Sequence, residues 1–341
     1  MKTKIVYCLV SQDKDIYLEQ LLLSLISLRN YNQSAQVTVV MDKTTKDGLI
    51  GNRNIIQNYI DEIIVVNDIE HLSNSQKSRV LKTTLRERIT GAYLFIDVDT
   101  IITDKLDEID ELLLQNIEIA AVKDSHCNFN EMKRQSDQIK RAHIVGWDDI
   151  VFDKIHFNSG VMFVNDTEFT HRFYKAWHEN WLYEKSKGLF YDQIAMAHTN
   201  RQMSYPIKEL DGVWNCQICQ DGLRYLYNAK IIHYFGDFGK GRSYYFRNRD
   251  VFDYIKLTGK INKQTQYFAS NGKKAFVGHS IILGDEDQDF YWSPIYKLYT
   301  RSKPTFKIFC KVASLYLFLR KCLSKILKRA EFNLQMQQNS D

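Results

Sequence analysis

The stretch 93–100, which contains the letters YLFIDVDT, limits the fold of this chain more than any other. Its apolar half is rich in aromatic and branched side chains and predicts a buried strand. In α/β proteins, ligands bind in the crevice beyond the carboxyl ends of the strands. Asp97 and Asp99 follow the strand two residues apart, so their side chains point the same way and can share one hard cation. A strand that runs into a polar turn gives the same pattern.

Strands and helices are predicted to alternate along the first hundred residues. Each strand is a short apolar run, and each helix has apolar residues spaced by three or four. The predicted strands are 5–10, 37–41, 63–66 and 93–96, and the predicted helices are 16–28, 48–60 and a segment capped by Asn74 or Ser75. This alternation favours a doubly wound, mostly parallel α/β sheet.

The following part of the chain continues this pattern less regularly. The predicted elements are strands at 117–122 and 158–164, a loop or lid at 125–150, a helix capped near Thr167, and a strand at 231–234 before a glycine-rich loop, 236–241. The helix after Thr167 carries aromatic residues at every fourth position, namely Phe169, Phe173, Trp177 and Trp181. This spacing favours a buried core stripe over a ligand site.

Composition indicates a folded chain. A length of 341 residues is long for one core, so we expect a large domain with an extension, or two domains. The content of 44% hydrophobic and 13% aromatic residues argues against disorder. The six cysteines have no framework spacing, which favours reduced thiols in a cytosolic setting. Since no apolar run approaches about 18 residues, no transmembrane helix is predicted.

Basic charge is concentrated near the end of the chain. Residues 291–330 contain ten Lys and Arg and no Asp or Glu. Because the whole chain carries +5 and this segment contributes +10, the rest carries −5. A general nucleic-acid-binding surface is therefore not indicated. Within this segment, residues 305–330 interleave apolar side chains with lysine and arginine, which predicts a basic amphipathic helix.

Five motifs follow one another in a specific order. They are the first strand and helix with Tyr17 and Ser24-Leu25, the pair Ser78-Arg79, FIDVDT at 95–100, FNSGVM at 157–162 followed by Asp192-Gln193, and HYFG at 233–236. Together they span about residues 3–241. They resemble the GT-A fold of nucleotide-sugar glycosyltransferases, and specifically family 8, the retaining galactosyl- and glucosyltransferases that include bacterial lipooligosaccharide enzymes.

The resemblance implies an α/β GT-A nucleotide-diphospho-sugar transferase fold over residues 1–250. Its nucleotide-binding half would be 1–125, and its acceptor and donor-sugar half would be 126–250. A C-terminal extension, 251–304, and the basic amphipathic helix, 305–330, would follow. The implied activity is the transfer of a hexose from a UDP-sugar to a saccharide or lipid-linked glycan, in cell-surface polysaccharide or lipopolysaccharide biosynthesis.

The resemblance also implies a metal site made of Asp97, Asp99 and His233. Loss of a nucleoside diphosphate from the sugar leaves negative charge, which a divalent cation bridging both phosphates neutralises. The mixed carboxylate and imidazole set suits Mn²⁺ better than Mg²⁺, which is the second option. A histidine at a strand end is often structural. Its position between an apolar pair and a glycine-rich loop favours the ligand role here.

Donor-binding and catalytic residues are implied in the same way. The implied nucleotide, phosphate and sugar contacts are Tyr17, Arg79, Val98, Asp124, Asn158, Ser159, Gly236 and Lys240, and the implied catalytic pair is Asp192 and Gln193. Lys240 comes seven residues after His233, one more than the family pattern, so the loop would bulge or Arg242 would share its role. Arg79 with Lys82 and Arg86 also fits a solvated basic face, and Asp192 fits a helix N-terminus.

The predicted partners are a UDP-hexose donor, a glycan or glycolipid acceptor and an anionic membrane surface. The surface would be bound by the basic amphipathic helix at 305–330, called the tail below. No nucleic acid is expected. A cationic amphipathic helix without acidic residues suits such a surface. The predicted location is therefore the cytoplasm, peripheral on the inner face of the membrane. The alternative is a packed C-terminal helix with a solvated basic face.

Other functions remain open at the sequence level. A haloacid-dehalogenase-like phosphatase would use Asp97 as its nucleophile, although such enzymes have Thr or Val where this chain has Ile101. A calcium loop is excluded because Ile101 and Ile102 stand where Asp or Asn and Gly are needed. A non-catalytic, membrane-associated protein that binds a nucleotide sugar is the third option.

Overall fold

The computed structural model describes residues 1–235, 244–276 and 293–338. The chain forms two compact units, Met1–Ile282 and Leu283–Asp341. The six cysteines all lie in the described part of the chain and are free. The domain boundaries expected after residues 250 and 304 stay predictions.

The strands of the first unit form two sheets. In chain order they are β1 Lys4–Leu9, β2 Val37–Asp42, β3 Glu62–Val66, β4 Tyr93–Ile96, β5 Thr100–Ile102, β6 Ile119–Lys123, β7 Phe157–Val164, β8 Ile207–Glu209, β9 Cys216–Gln217 and β10 Ile231–His233. The central sheet has the order β3-β2-β1-β4-β7-β6-β8, and the small sheet has the order β5-β10-β9. In the central sheet β7 runs antiparallel to both neighbours and the other pairs are parallel. The predicted mostly parallel sheet is confirmed.

The helices alternate with the strands in the first part of the chain. They are α1 Tyr17–Tyr31, α2 Lys43–Asp47, α3 Asn74–Thr83, α4 Leu85–Arg88, α5 Glu111–Leu114, α6 Gln135–Ile144, α7 Glu168–Ser186, α8 Gln193–Gln202, α9 Arg249–Thr258, α10 Lys263–Ser270, α11 Pro294–Arg301 and α12 Lys303–Gln338. The segment 48–60, predicted as a helix, forms instead the 3₁₀ helix Gly51–Tyr59. Its glycine and several asparagines are poor α-helix formers, which accounts for the difference.

The predicted loop or lid at 125–150 was partly wrong. It contains helix α6, whose polar sequence buries only Gln138 and Ala142. Trp147 and Ile150, which follow α6 in the sequence, are also buried in the core. Because so few positions of α6 are apolar, no helical period was visible in the sequence.

The cap predicted for helix α3, Asn74 or Ser75, was wrong by one or two residues, because the helix begins at Asn74 and its cap is Ser73. Ser73 is its N-cap and accepts a hydrogen bond from the Gln76 N–H, while the Gln76 side chain accepts one from the Ser73 N–H. This capping box satisfies two backbone donors at the start of the helix. It fixes where α3 begins, and α3 supplies Arg79 and Lys82 to the site described below.

The predicted aromatic stripe lies in the core. Phe173, Trp177 and Trp181 on helix α7 are fully buried against the central sheet, whereas Phe169 is partly exposed. Thr167 caps this helix as expected, and it forms a capping box with Thr170. Helix α7 is therefore a fixed support for helix α8, which packs beside it.

A chain of hydroxyl groups holds the junction between β4 and β5. The Thr100 hydroxyl donates to the Asp97 carbonyl at 2.9 Å, and it lies 2.9 Å from the Ser24 hydroxyl, which in turn lies 3.0 Å from the Tyr7 hydroxyl. All of these hydroxyl-bearing side chains are buried. Strand β1 and helix α1 thus fix the turn that carries Asp97 and Asp99.

Candidate active site

Asp97, Asp99 and His233 meet at one point. The two aspartates lie in the turn that leads from β4 in the central sheet to β5 in the small sheet. Strand β10 pairs antiparallel with β5, and in that register His233 lies opposite Thr100. One ligand atom from each residue lies within 4.8 Å of the others, and His233 Nε2 is 3.2 Å from Asp99 Oδ1. Strand pairing therefore brings together residues that are far apart in sequence.

Gly160 on β7 leaves room for this cluster. Its carbonyl accepts a hydrogen bond from the Asp97 N–H at 2.7 Å. A Cβ at this position would overlap His233 Cε1 and would lie 2.8 Å from Asp97 Oδ2. The strand can approach the cluster this closely only because residue 160 has no side chain.

The second ring nitrogen of His233 has a polar partner. His233 Nδ1 lies 3.3 Å from Asn215 Oδ1, and the Asn215 amide donates to Asn158 Oδ1 at 3.0 Å. The Asn158 amide donates in turn to Asp124 Oδ1 at 3.1 Å. Because the Asn215 oxygen can only accept, Nδ1 carries a proton and Nε2 faces Asp99. Partners of this kind fix the tautomer and orientation of a metal-binding histidine.

A second charged cluster lies beside the first. Arg79 Nε is 3.0 Å from Asp192 Oδ1. Lys82 Nζ is 3.4 Å from Asp192 Oδ2 and 3.2 Å from Asp97 Oδ1, and it donates to the Ser159 hydroxyl at 3.1 Å. Ser159 itself donates to Asp192 Oδ2 at 2.9 Å. Lys82 therefore connects the aspartate turn to the start of helix α8.

The solvated basic face considered for α3 does not form. Lys82 is 4% exposed, and Arg86 is 1% exposed. Arg86 donates to the carbonyls of Ile89, Gly91 and Asn165, which is a structural role. Lys82 instead reaches the carboxylates described above.

The pKa values of the first cluster reflect burial and mutual charge. Burial raises the pKa of Asp97 despite the charge of Lys82. Burial also acts to raise the pKa of Asp99, but the charge and hydrogen bond of His233 outweigh it and lower this pKa. For His233, burial acts to lower the pKa, and Asp99 more than offsets it, so the pKa is raised. These shifts favour a proton within the cluster when no cation is bound. Cation binding by the same three side chains would therefore release a proton.

Asp192 is held in its charged form. Burial would raise its pKa, but the charges of Arg79 and Lys82 and the Ser159 hydroxyl hold it well below the usual range for aspartate. Asp192 is therefore a fixed negative charge across the working pH range. Its backbone is held too, because the Trp177 ring N–H donates to the Asp192 carbonyl at 3.0 Å.

Two residues of each cluster line a cavity of about 310 Å³ at the carboxyl ends of β1 and β4. Its lining residues are Cys8, Leu9, Val10, Tyr17, Asn74, Ser75, Ser78, Arg79, Lys82, Phe95, Asp97, Val98 and Asp99. Three residues expected to contact the donor, Tyr17, Arg79 and Val98, are among them. Asp124 and Asn158 reach the site through the hydrogen-bonded chain from His233.

The remaining expected residues are placed as follows. Asp192 lies at the start of helix α8, and Gln193 is its first residue and partly exposed. Ser159 lies between Lys82 and Asp192. Gly236 and Lys240 lie outside the residues that the structure describes.

Three residues at the site were not predicted from the sequence. Gly160 and Asn215 show their roles only through contacts between distant strands, and Lys82 looked like part of a basic face. A signal was present for Gly160, because it follows Asn158-Ser159 directly in a strand where glycine is unfavourable. Asn215 carries no comparable local signal.

Sequence comparison identifies the family. Residues 8–239 match the family model described as glycosyl transferase family 8. This is more than half of the chain. The chain belongs to glycosyl transferase family 8. No curated protein is significantly similar to it in sequence.

Solved structures resemble this family 8 chain in fold. The galactosyltransferase LgtC in complex with donor and acceptor sugar analogues is 16% identical, with a TM-score of 0.50 over 80% of this chain and 100% of its own. Mouse xyloside xylosyltransferase 1 in its apo form is 13% identical, with a TM-score of 0.48 over 69% and 98% of the two chains. GlyE of Streptococcus pneumoniae is 16% identical, with a TM-score of 0.47 over 83% and 67%. The fold is GT-A, as expected, and the phosphatase alternative gains no support.

We predict that Gly160→Ala weakens Mn²⁺ binding, because the added methyl group displaces His233 or Asp97. The expected loss is about ten- to hundredfold, the range found for groups that orient metal ligands. Isothermal titration with Mn²⁺ measures it. Gly48→Ala is the control, since a Cβ there has only the Thr44 and Thr45 carbonyl oxygens within 4 Å and no atom of the cluster. Equal affinities in Gly160→Ala and the unaltered protein would contradict the proposed ligand set.

Proposed function

We propose that this family 8 glycosyltransferase is a metal-dependent, retaining hexosyltransferase. It moves a hexose from a UDP-sugar to a saccharide or lipid-linked glycan acceptor, in the synthesis of cell-surface polysaccharide or lipopolysaccharide. One observation carries the proposal: Asp97 and Asp99 of the first cluster and Arg79 and Lys82 of the second line one cavity, with His233 and Asp192 directly behind them.

The donor set of the first cluster fits a divalent cation. Two carboxylates and one imidazole lie close enough to share an ion, and Asn215 orients the imidazole so that Nε2 is available. This mixture of oxygen and nitrogen suits Mn²⁺ better than Mg²⁺. When bound, the cation would neutralise the charge that develops on the leaving diphosphate.

Lys82 and Arg79 supply positive charge from the side of helix α3. Both are held by Asp192 rather than left free to move. Fixed charges that face developing negative charge need no reorganisation during the reaction, so they stabilise the transition state more than mobile ones. We assign phosphate contacts to Arg79 and nucleotide contacts to Tyr17 and Val98. Gly236 and Lys240, which follow β10 in the sequence, are proposed to complete the phosphate site.

The sugar is proposed to lie between β6 and the start of helix α8. Asp124, Asn158 and Ser159 have amide, carboxylate and hydroxyl groups suited to sugar hydroxyls. Asp192 and Gln193 would lie beside the reacting carbon. Because Asp192 stays ionised, its charge can stabilise an oxocarbenium-like transition state, as carboxylates do in glycoside hydrolysis.

We predict that Asp97→Ala and Asp99→Ala each lower the rate of transfer by about 10²–10³-fold, the usual effect of losing one group that stabilises developing charge. The fold should persist, because removing one carboxylate relieves repulsion between the two. Transfer and hydrolysis of UDP-hexoses with Mn²⁺ or EDTA, together with urea unfolding, measure both effects. Asp107→Ala, at an exposed aspartate, is the control. Near-normal turnover of either variant in EDTA would exclude the metal mechanism, and binding without any turnover would favour the non-catalytic alternative.

We predict that transfer from a UDP-α-hexose gives an α-linked product. This expectation comes from the family, whose members retain the anomeric configuration. NMR of the first-formed product measures it through the coupling constant of the anomeric proton. A β-linkage would show that Asp192 and Gln193 support an inverting reaction.

The tail is proposed to bind an anionic membrane surface. Among the described residues, no helix is long and apolar enough to span a bilayer. At about 3.6 residues per turn, one face of α12 carries Lys303, Lys307, Lys311 and Lys321 together with Phe318. The opposite face carries Phe309, Val312, Tyr316, Leu319 and Leu323, with Arg320 at its border. These apolar side chains are exposed in the structure. Such a helix can lie in the interface with its lysines near the lipid headgroups, which would place the enzyme on the inner face of the membrane.

We predict that deleting residues 305–341 releases the protein from anionic vesicles while UDP-sugar hydrolysis persists. Binding of the full chain should weaken with salt, because surface charges are screened over about 8–10 Å at physiological ionic strength. Co-sedimentation with phosphatidylglycerol vesicles at several salt concentrations measures this, and phosphatidylcholine vesicles are the control. If the full chain ignores anionic vesicles at low salt, or if the deletion unfolds the protein, the tail is a structural helix.

A further inference from the structure

Glu184 on helix α7 is a buried carboxyl group that the proposed reaction does not use. It is 0% exposed, and neither of its oxygens has a fully formed hydrogen bond among the described residues. Leaving a buried polar group without a partner is costly. Glu184 lies on the helix that packs against α8, so the start of α8 is where a partner for its carboxyl group is sought.

Helix α8 begins without the cap that its sequence would provide. Asp192 occupies the N-cap position, where an aspartate normally accepts a hydrogen bond from a backbone N–H two or three residues later. Its side chain makes no such bond, because both oxygens are engaged by Arg79, Lys82 and Ser159. The first N–H groups of α8 therefore lack their usual acceptor.

Glu184 lies where that acceptor is needed. The Ala195 N–H, at the third position of α8, is close enough to the Glu184 carboxyl to lower its pKa, but the contact falls short of a full hydrogen bond. Ala195 is itself fully buried. Helix α7 also reaches this helix start through Trp177, which donates to the Asp192 carbonyl. One helix thus supports the start of α8 at two points that lie about two turns apart.

We propose that Glu184 caps helix α8 in place of Asp192, and that it thereby leaves the Asp192 carboxylate free to face Arg79, Lys82 and Ser159. Glu184 is then a positioning residue for Asp192. Its effect on activity rests on the proposed function, in which Asp192 lies beside the reacting carbon. Its effect on folding does not.

The charge state of Glu184 is consistent with this role. Burial, and after it the charge of Asp192 on α8, raise its pKa to about 8, although the Ala195 N–H, Arg141 on α6 and Arg79 on α3 act in the opposite direction. Below that pH the group is an uncharged acid that still accepts through its carbonyl oxygen. It therefore caps the helix without adding a second negative charge that would compete with Asp192 for Arg79.

The test compares Glu184→Gln, which is uncharged and keeps the acceptor, with Glu184→Leu, which removes it. Thr167→Ala is the matched control, because it deletes the cap of α7 away from the site. We expect Glu184→Leu to lower kcat for UDP-sugar hydrolysis about ten- to hundredfold, as misplacement of a catalytic group does. Glu184→Gln should restore kcat to within about threefold at pH 7, and Thr167→Ala should lose stability with kcat unchanged. Equal kcat values in the Leu and Gln variants would overturn the proposal.

Urea unfolding between pH 5 and pH 9 tests the same role without turnover. The native protein keeps the Glu184 proton up to about pH 8, whereas the unfolded chain loses it near pH 4.5. The stabilising contribution of this group is thus complete below about pH 4.5 and is lost as pH rises through about 8. Relative to Glu184→Gln, the folding equilibrium constant of the unaltered protein should fall about tenfold per pH unit across that window.

The two readouts separate the two proposals. A constant stability difference between Glu184→Gln and the unaltered protein would overturn the uncharged cap, even if Glu184→Leu fails to fold. If the unaltered protein hydrolyses no UDP-sugar while the stability difference follows pH as expected, the capping role stands and the proposed function fails.

Discussion

The antiparallel pairing of β10 with β5 is the constraint on which the site depends. It places His233 opposite Thr100, next to the turn that carries Asp97 and Asp99. The hydroxyl chain from Tyr7 holds that turn from below, and Gly160 leaves the space that the three side chains occupy. The small sheet therefore contributes His233, and the central sheet contributes Gly160 and the strand that leads to Asp97.

Charge balance explains why so many ionic groups can be buried near this junction. Lys82, at 4% exposure, is surrounded by Asp97, Asp192 and Ser159, and Arg79 faces Asp192. Buried charges are tolerated when they are paired and hydrogen-bonded. The arrangement uses the carboxylate that would otherwise cap helix α8, so the charged cluster and the helix start compete for the Asp192 side chain. Under our proposal, the uncharged Glu184 caps helix α8 instead, and the Asp192 carboxylate stays paired with Arg79 and Lys82.

Local patterns predicted most of the central sheet, because buried strands and amphipathic helices have periods that a sequence displays. They failed where the signal was weak or not local. Helix α6 buries only Gln138 and Ala142, so its period was hidden. The meeting of Asp97 with His233 was expected from the family resemblance and not from any spacing. The role of Lys82 could not be predicted, because its partners come from other strands and helices.

Asp97, Asp99 and His233 are proposed to hold one divalent cation. Anomalous diffraction at the manganese edge, from crystals grown with Mn²⁺ and UDP, tests it most directly. We expect one strong peak at about 2.0–2.3 Å from a carboxylate oxygen of each aspartate and from His233 Nε2. A peak elsewhere, or a metal bound by the aspartates with His233 still hydrogen-bonded to Asp99, would contradict it.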